Sequence, residues 1–478
     1  MQRSGANGDT ALILAAPPPF STPNSCFVSI ATMSDLHPHA LAERLARNRL
    51  NRRDAIWLFG AATASLQGCA VSPVSGERIL VGMSEAQEAA IDQQQSPHQF
   101  SQDLGAIQHE PVNAYVREVG QRLDALSHRP NMPYSYRVLN ANYVNAYTFP
   151  GGAMGVTRGI MVDMDDEAQL AALLGHELGH VNARHSAQRQ GQTMIAQTVL
   201  AGVNAAAQNS GWAPLIGLGS QVGASALLAN YSRSNEHEAD ALGQAYMVQA
   251  GYPATGMTRL HQMLVQEEQE APSTLATMFS SHPMSSERRD RARVAAETTY
   301  ASSLRASVRR ERFMDNTAPL RQIKPAIQAC QKGESAMSAR KLDEASGQFR
   351  TALKQAPRDY AANLRMAQCL QAQGKTADAR SYVDNARNIY PQEAQSHKLL
   401  ATLALQQRNP QTALQALNTF DRLLPGDSGV LFLKGASLEA MGQRESAAQH
   451  YARYLQQVRS GDASQHAYTR LKAWGYAK

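Results

Sequence analysis

Apolar residues recur at helical spacing in separated parts of the chain. Leu170, Leu173, Leu174 and Leu178 fall on one helical face behind Asp165 and Asp166, two capping residues, so the pattern predicts a helix over 168–183. A second helix is predicted from Ser232 to Ala250, where Gly251 and Pro253 supply stop signals. In the C-terminal third, Ala345, Ala379, Ala413 and Ala447 stand 34 residues apart. Gly333, Ala367, Ala401 and Gly435 lie 12 residues before them, and Pro357, Pro391 and Pro425 lie 12 after the first three. Small residues at two fixed positions let paired helices approach closely, and Pro closes each unit because it cannot continue a helix. Four stacked helix pairs are therefore predicted, with a concave face for peptides or partner proteins. Strand signals are sparse: Asn145 to Val156, with Pro150, Gly151 and Gly152, reads as a turn and strand before the first helix.

Composition agrees with a predominantly helical chain of more than one domain: 478 residues, 43% hydrophobic, 18% charged and only 6% aromatic. The net charge of +6 is spread over helical stretches, which argues against a nucleic-acid partner. The densest basic stretch, Arg288 to Arg293 and Arg305 to Arg312, alternates with Glu287, Asp290, Glu297 and Glu311 and reads as a solvated helix face. The 34-residue period is that of tetratricopeptide repeats.

The N-terminal segment reads as an address. Arg52-Arg53 precede the run Ala55 to Ala62, too short to span a bilayer but suited to the hydrophobic region of a signal peptide, with a twin arginine that fits Tat export. Leu66-Gln67-Gly68-Cys69 resembles the lipobox of bacterial lipoproteins, which implies acylation of Cys69. Residues before Met33 read as an unstructured leader, with Met33 a second candidate start. No later segment reaches 18 uninterrupted apolar residues. Cys330 and Cys369 fall on neighbouring repeats, as a bridge or as two buried thiols.

The chemistry concentrates in His176-Glu177-Leu178-Gly179-His180. On a helix the two imidazoles point to one place, as two ligands of tetrahedral zinc do, and Glu177 stands beside the metal to take a proton from its water. Bound zinc lowers the pKa of that water from about 15.7 to roughly 7. A third ligand is sought in Ser232-Arg233-Ser234-Asn235-Glu236-His237-Glu238-Ala239-Asp240, where one carboxylate completes the site and another, one turn on, holds a ligating imidazole by a hydrogen bond. His237 should point away, and His185, five residues past His180, should lie off the metal-binding face.

The two motifs together resemble the gluzincin peptidases that include HtpX, the CAAX prenyl proteases and the bacterial BepA type. The resemblance implies one Zn2+ per chain, held by His176, His180 and Glu236, with Glu177 as general base, Asp240 against a ligating imidazole and Glu238 as the competing third ligand. Asn145-Ala146-Tyr147-Thr148-Phe149-Pro150-Gly151-Gly152 resembles the segment before the active-site helix, whose edge strand holds an extended peptide by main-chain hydrogen bonds. Ser281-His282-Pro283 with Arg288 is similar to the family's H-P-x-x-x-x-R segment. His282 then either stabilises the oxyanion or takes the water's place as a latch, the plain alternative being a surface-loop His. The Ala- and Gly-rich stretch 197–230 around Trp212 is expected to complete the core as a helical hairpin or to cover the cleft as a flap.

The expected architecture is an α-dominated α+β chain: residues 1–69 a leader and signal peptide with lipobox, 70–315 a gluzincin-type protease domain with a small β-sheet, and 316–478 an α-solenoid of tetratricopeptide repeats. Resemblance to the BepA type implies a periplasmic enzyme that degrades misfolded or stalled outer-membrane proteins, its repeats recruiting substrate or assembly machinery. The lipobox and Tat signal depart from that type. Ala70 after Cys69 lacks the Asp linked to inner-membrane retention, so the lipid anchor is expected in the outer membrane. A chaperone-like assembly factor with a latent site is the competing reading, and a non-protease hydrolase on the same metal a third.

Overall fold

The computed structural model describes residues 69–194, 231–270, 278, 281–283 and 286–477. The expected signal peptide, Met33, the lipobox up to Gly68 and the stretch around Trp212 lie outside the described residues. Cys69 is exposed at the start of β1 (Cys69–Val71), which pairs antiparallel with β2 (Arg78–Leu80). Two helices follow, α1 (Glu85–Gln102) and α2 (Glu110–Asp124), then a three-stranded sheet in the order β3 (Ser135–Leu139), β5 (Ala153–Thr157), β4 (Ala146–Thr148). β5 runs parallel to β3 and antiparallel to β4, so β4 is an edge strand. From α1, the Asp92 carboxylate accepts hydrogen bonds from Gly151 N and Ala153 N, both 2.7 Å, and fastens the turn between β4 and β5.

The chain continues through α3 (Arg158–Asp163), α4 (Glu167–Asn182), α5 (Arg233–Gln249), α6 (Thr255–Glu270), α7 (Ser286–Glu297) and α8 (Arg310–Gln322). Every residue of α4 is buried. Asp166 caps it, its side chain accepting from Gln169 N at 3.1 Å, while the buried Glu167 is met by Arg309, Arg312, Tyr115 and Tyr252. α4 and α5 touch backbone to backbone: a Cβ on Gly175 would lie 2.9 Å from Gly243 O, and one on Gly243 only 2.6 Å from His176 N. Glycine on both sides permits the approach that brings the acidic residues of α5 to the histidines of α4.

Four helix pairs follow: α9 (Lys324–Ser338) with α10 (Leu342–Gln355), α11 (Tyr360–Ala372) with α12 (Thr376–Ile389), α13 (Ala394–Gln406) with α14 (Pro410–Leu423), and α15 (Ser428–Ala440) with α16 (Arg444–Gln457). A last helix, α17 (Asp462–Ala473), packs on α16. Ala345, Ala379, Ala413 and Ala447 are completely buried, as their recurrence requires. Gly333 faces Phe349 and Gly435 faces Tyr451, where a Cβ would come within 2.5 and 2.7 Å of the ring. At the equivalent places in the middle repeats, Ala367 and Ala401 accompany the smaller Val383 and Leu417. Glycine is used where the partner helix carries a ring. Gly333→Ala should therefore lower stability by roughly 1–3 kcal/mol through overpacking, less about 1 kcal/mol of helix propensity gained. Denaturant titration should show Gly333→Ala with Phe349→Leu more stable than the sum of the single changes.

The repeats lean on the sheet side of the N-terminal part. The fully buried Arg158 forms a fork with Asp359, the cap of α11, at 2.5 and 3.0 Å. Glu334 Oε1 accepts from Asn142 at 2.9 Å and Arg365 at 2.7 Å. Ser101 donates to Glu393, the cap of α13. Part of the array is thus occupied within the chain before any partner arrives. Burial pushes Glu393 up to about 7, against the opposing hydrogen bonds from Ser101 and the backbone. The fold therefore keeps the proton that the unfolded chain gives up near pH 4.3. This contribution is fully present below that pH and is lost as pH rises to about 7, on the order of 3 kcal/mol in all. Thermal melts from pH 4 to 8 should show a decline that Glu393→Gln flattens.

Candidate metal centre

Four buried side chains, His176, His180, Glu236 and His282, bring one ligand-type atom each to within 4.8 Å of one another. His176 and His180 come from successive turns of α4, and Glu236 from the first turn of α5, where Ser232 and Asn235 form a capping box. The two Nε2 atoms face each other at 3.0 Å, with Glu236 carboxylate oxygens at 3.6 Å from His176 and 3.4 Å from His180. His176 Nδ1 lies 2.9 Å from Asp240 Oδ1, which assigns its proton to that nitrogen. His180 Nδ1 lies 2.9 Å from His185 Nδ1, and His185 Nε2 lies 3.1 Å from Glu238 Oε2. A chain of N–H groups running from His180 through His185 to Glu238 leaves both facing Nε2 atoms as bare lone pairs. Two lone pairs and a carboxylate converging in a buried place repel one another unless a cation joins them, so the donor set fits a metal ion.

Burial holds His180 well below its ordinary pKa, which keeps the imidazole neutral. For Glu236 burial acts upward, but the charge of His282 and its hydrogen bond outweigh it and hold the carboxyl far below its usual range. Glu177 differs: burial raises it, and neither oxygen has a hydrogen-bond partner among the described residues. Arg288 pairs with Glu236 at 2.6 Å and with both oxygens of Asp240 at 2.7 Å.

Comparison with known proteins agrees with this geometry. Residues 110–296 match the model of peptidase family M48, and residues 336–403 match a tetratricopeptide repeat. A Vibrio cholerae protein named as a beta-barrel assembly-enhancing protease is 30% identical over 195 residues, covering 39% of this chain and 40% of that one. The beta-barrel assembly-enhancing protease of Yersinia pestis is 23% identical over 420 residues, covering 82% and 86%. The metalloprotease YcaL of Escherichia coli is 30% identical over 178 residues, 36% of this chain and 67% of that protein. The chain belongs to peptidase family M48. Its N-terminal part is a metalloendopeptidase domain of that family, followed by tetratricopeptide repeats.

Within the M48 domain, Glu238, the competing third ligand, turns to His185, and His237 points to Glu287 at 3.5 Å. His185 lies off the metal-binding face as expected, yet it is no bystander, because α4 ends at Asn182 and Arg184 adopts a left-handed φ of +57°, held by Glu88 at 2.8 Å. The reversal returns His185 to His180, where a continued helix would have carried it away. One expectation is corrected. Arg288 does not belong to a solvated face: α7 packs beside α5 and buries it between two carboxylates. His282 is buried in the cluster rather than on a surface loop, its backbone N–H donating to Met278 O at 2.6 Å. The sequence reading missed Tyr231, whose ring stacks on His180 at 3.8 Å between centroids and 22° between planes. Its only signal was an aromatic residue next to the Ser232 cap.

Proposed function

We propose that this chain is a zinc-dependent endopeptidase of the bacterial cell envelope, with residues 70–315 as the protease domain and 316–478 as the repeat domain. The convergence of the bare His176 and His180 Nε2 atoms on the Glu236 carboxylate carries the reading. A bound ion would supply a Lewis acid that polarises the scissile carbonyl and makes water acidic at neutral pH. Glu177 accepts a proton from the attacking water as its oxygen bonds to the carbonyl carbon, then delivers it to the amine as the C–N bond breaks. Asp240 fixes the His176 ring, and His185 with Tyr231 fixes that of His180. β4 stands at the edge of the sheet, which supports binding of an extended peptide along it by main-chain hydrogen bonds.

Similarity to beta-barrel assembly-enhancing proteases supports substrates that are misfolded or stalled outer-membrane proteins, brought by the repeats or through assembly machinery docked on them. Among the described residues no helix is long and apolar enough to cross a membrane. The lipobox reading puts an acyl anchor on Cys69 and the protein in the periplasm at the outer membrane. Cleavage of an unfolded barrel protein by the purified chain should stop with a chelator and return with zinc; cleavage indifferent to the chelator would contradict the reading.

A second reading, an assembly factor with a latent site, is favoured by His282. Its Nδ1 lies 3.2 Å from Glu236 Oε1 and 3.3 Å from His176 Nε2, inside the cluster where water must enter. As a latch, His282 limits turnover, so His282→Ala should raise the cleavage rate severalfold. A fall in kcat at unchanged KM would instead give His282 the oxyanion role, and unchanged turnover would remove it from the chemistry.

A further inference from the structure

The Asp240 carboxylate is a node where four helices meet. Oδ1 lies 2.9 Å from His176 Nδ1 on α4, 2.7 Å from Arg288 Nη2 on α7 and 3.2 Å from His261 Nε2 on α6, while Oδ2 takes Arg288 Nε at 2.7 Å. His176 belongs to a motif helix and Arg288 to the segment after His282. His261 belongs to neither. It stands in the apolar stripe of α6 with Met257, Leu260 and Leu264, all buried, at a position where Leu would fill the same role in packing. Its ring is 2% exposed; neither nitrogen makes an aligned hydrogen bond among the described residues, and Nε2 meets Asp240 Oδ1 as a close polar contact at 3.2 Å. Burying an imidazole in such a stripe is unfavourable unless one of its nitrogens is satisfied, and the polar group in reach is Asp240.

The geometry points to His261 as a positioning residue for the metal centre: its Nε2–H holds Asp240 in the orientation that receives the Nδ1–H of His176, and so sets how firmly the chain keeps its metal. Arg288 grips both carboxylate oxygens and fixes the carboxylate plane, but its attachment is shared with Glu236. His261 ties the same oxygen that faces His176 to α6, which packs against α4 itself. Loss of this tie frees Asp240 to follow Arg288, and the His176 ring loses the support that presents Nε2. Groups behind a ligating His typically alter metal affinity by about 10- to 100-fold when removed. His261 acts one contact further out, so the lower end of that range applies.

This inference rests on the metal reading, and its test separates the two. Zinc affinity of the purified full chain is measured by competition with a chromophoric chelator for wild type, His261→Leu and His261→Gln. Leu keeps the packing and removes the donor, whereas the Gln Nε2 donates at a similar reach. The expected result is about tenfold weaker binding for His261→Leu and near wild-type binding for His261→Gln, with the metal-free melting temperatures of the variants alike. Wild-type affinity in His261→Leu would overturn the proposal, as would equal weakening in both variants, which would mean that ring packing alone matters. A wild-type chain that takes up no zinc would overturn the metal reading and this proposal with it.

Discussion

Glu177→Gln should lower peptide cleavage by roughly 10²- to 10⁴-fold, the range for removal of a general base, while zinc content stays at the wild-type level. The separation follows from position. Glu177 is on the same helix as the two histidines but is absent from the group of converging ligand-type atoms, and its oxygens have no hydrogen-bond partner among the described residues. The substitution preserves shape and leaves His176, His180 and Glu236 in place. Burial raises the Glu177 pKa in the metal-free chain, which suits an acceptor that must later return the proton. Single-turnover cleavage beside metal analysis distinguishes the outcomes. Loss of both metal and activity would move Glu177 from base to ligand.

Arg288→Met should destabilise the domain by roughly 3–5 kcal/mol, the cost of leaving buried carboxylates without their partner. Arg288 is 3% exposed and meets Glu236 and Asp240, both among the buried residues. Burial acts to raise Asp240, yet the charges of His261 and Arg288 and the hydrogen bonds of Arg288 and His176 hold it well below its ordinary value, so it remains charged in the fold. Methionine fills much of the same volume, which keeps the effect electrostatic. Urea titration of the metal-free protein measures it, and zinc should recover part of the loss by neutralising Glu236. A loss below about 1 kcal/mol would be the behaviour of a surface ion pair and would contradict the buried network.

The catalytic helix was legible in the sequence because Leu170, Leu173, Leu174 and Leu178 recur at helical spacing, and a spacing of four between His176 and His180 needs nothing more than a helix to make the rings converge. The repeats were legible for a related reason, since each small residue recurs against a partner at constant separation. Residues whose role depends on packing between distant elements were not. Glu236 and Glu238 are two residues apart and so lie on opposite faces of α5, and the contact of Gly243 with Gly175 decides which of them faces α4. Arg288 carries the charge pattern of an exposed helix, and nothing local records that α7 presents it to two acids. The support that His185 gives to His180 was hidden because a left-handed residue at Arg184 lay outside helical periodicity. The docking of Asp359 on Arg158 joins residues about 200 apart in the chain, with no pattern in either segment to announce it.

The most direct measurement is the metal content of the purified chain, by elemental analysis, for wild type and for His176→Ala. The proposed zinc centre predicts about one zinc per wild-type chain and its loss from the variant. Wild-type protein that folds and holds no zinc after exposure to the ion, or a His176→Ala variant that keeps a full complement, would contradict a centre built on His176, His180 and Glu236.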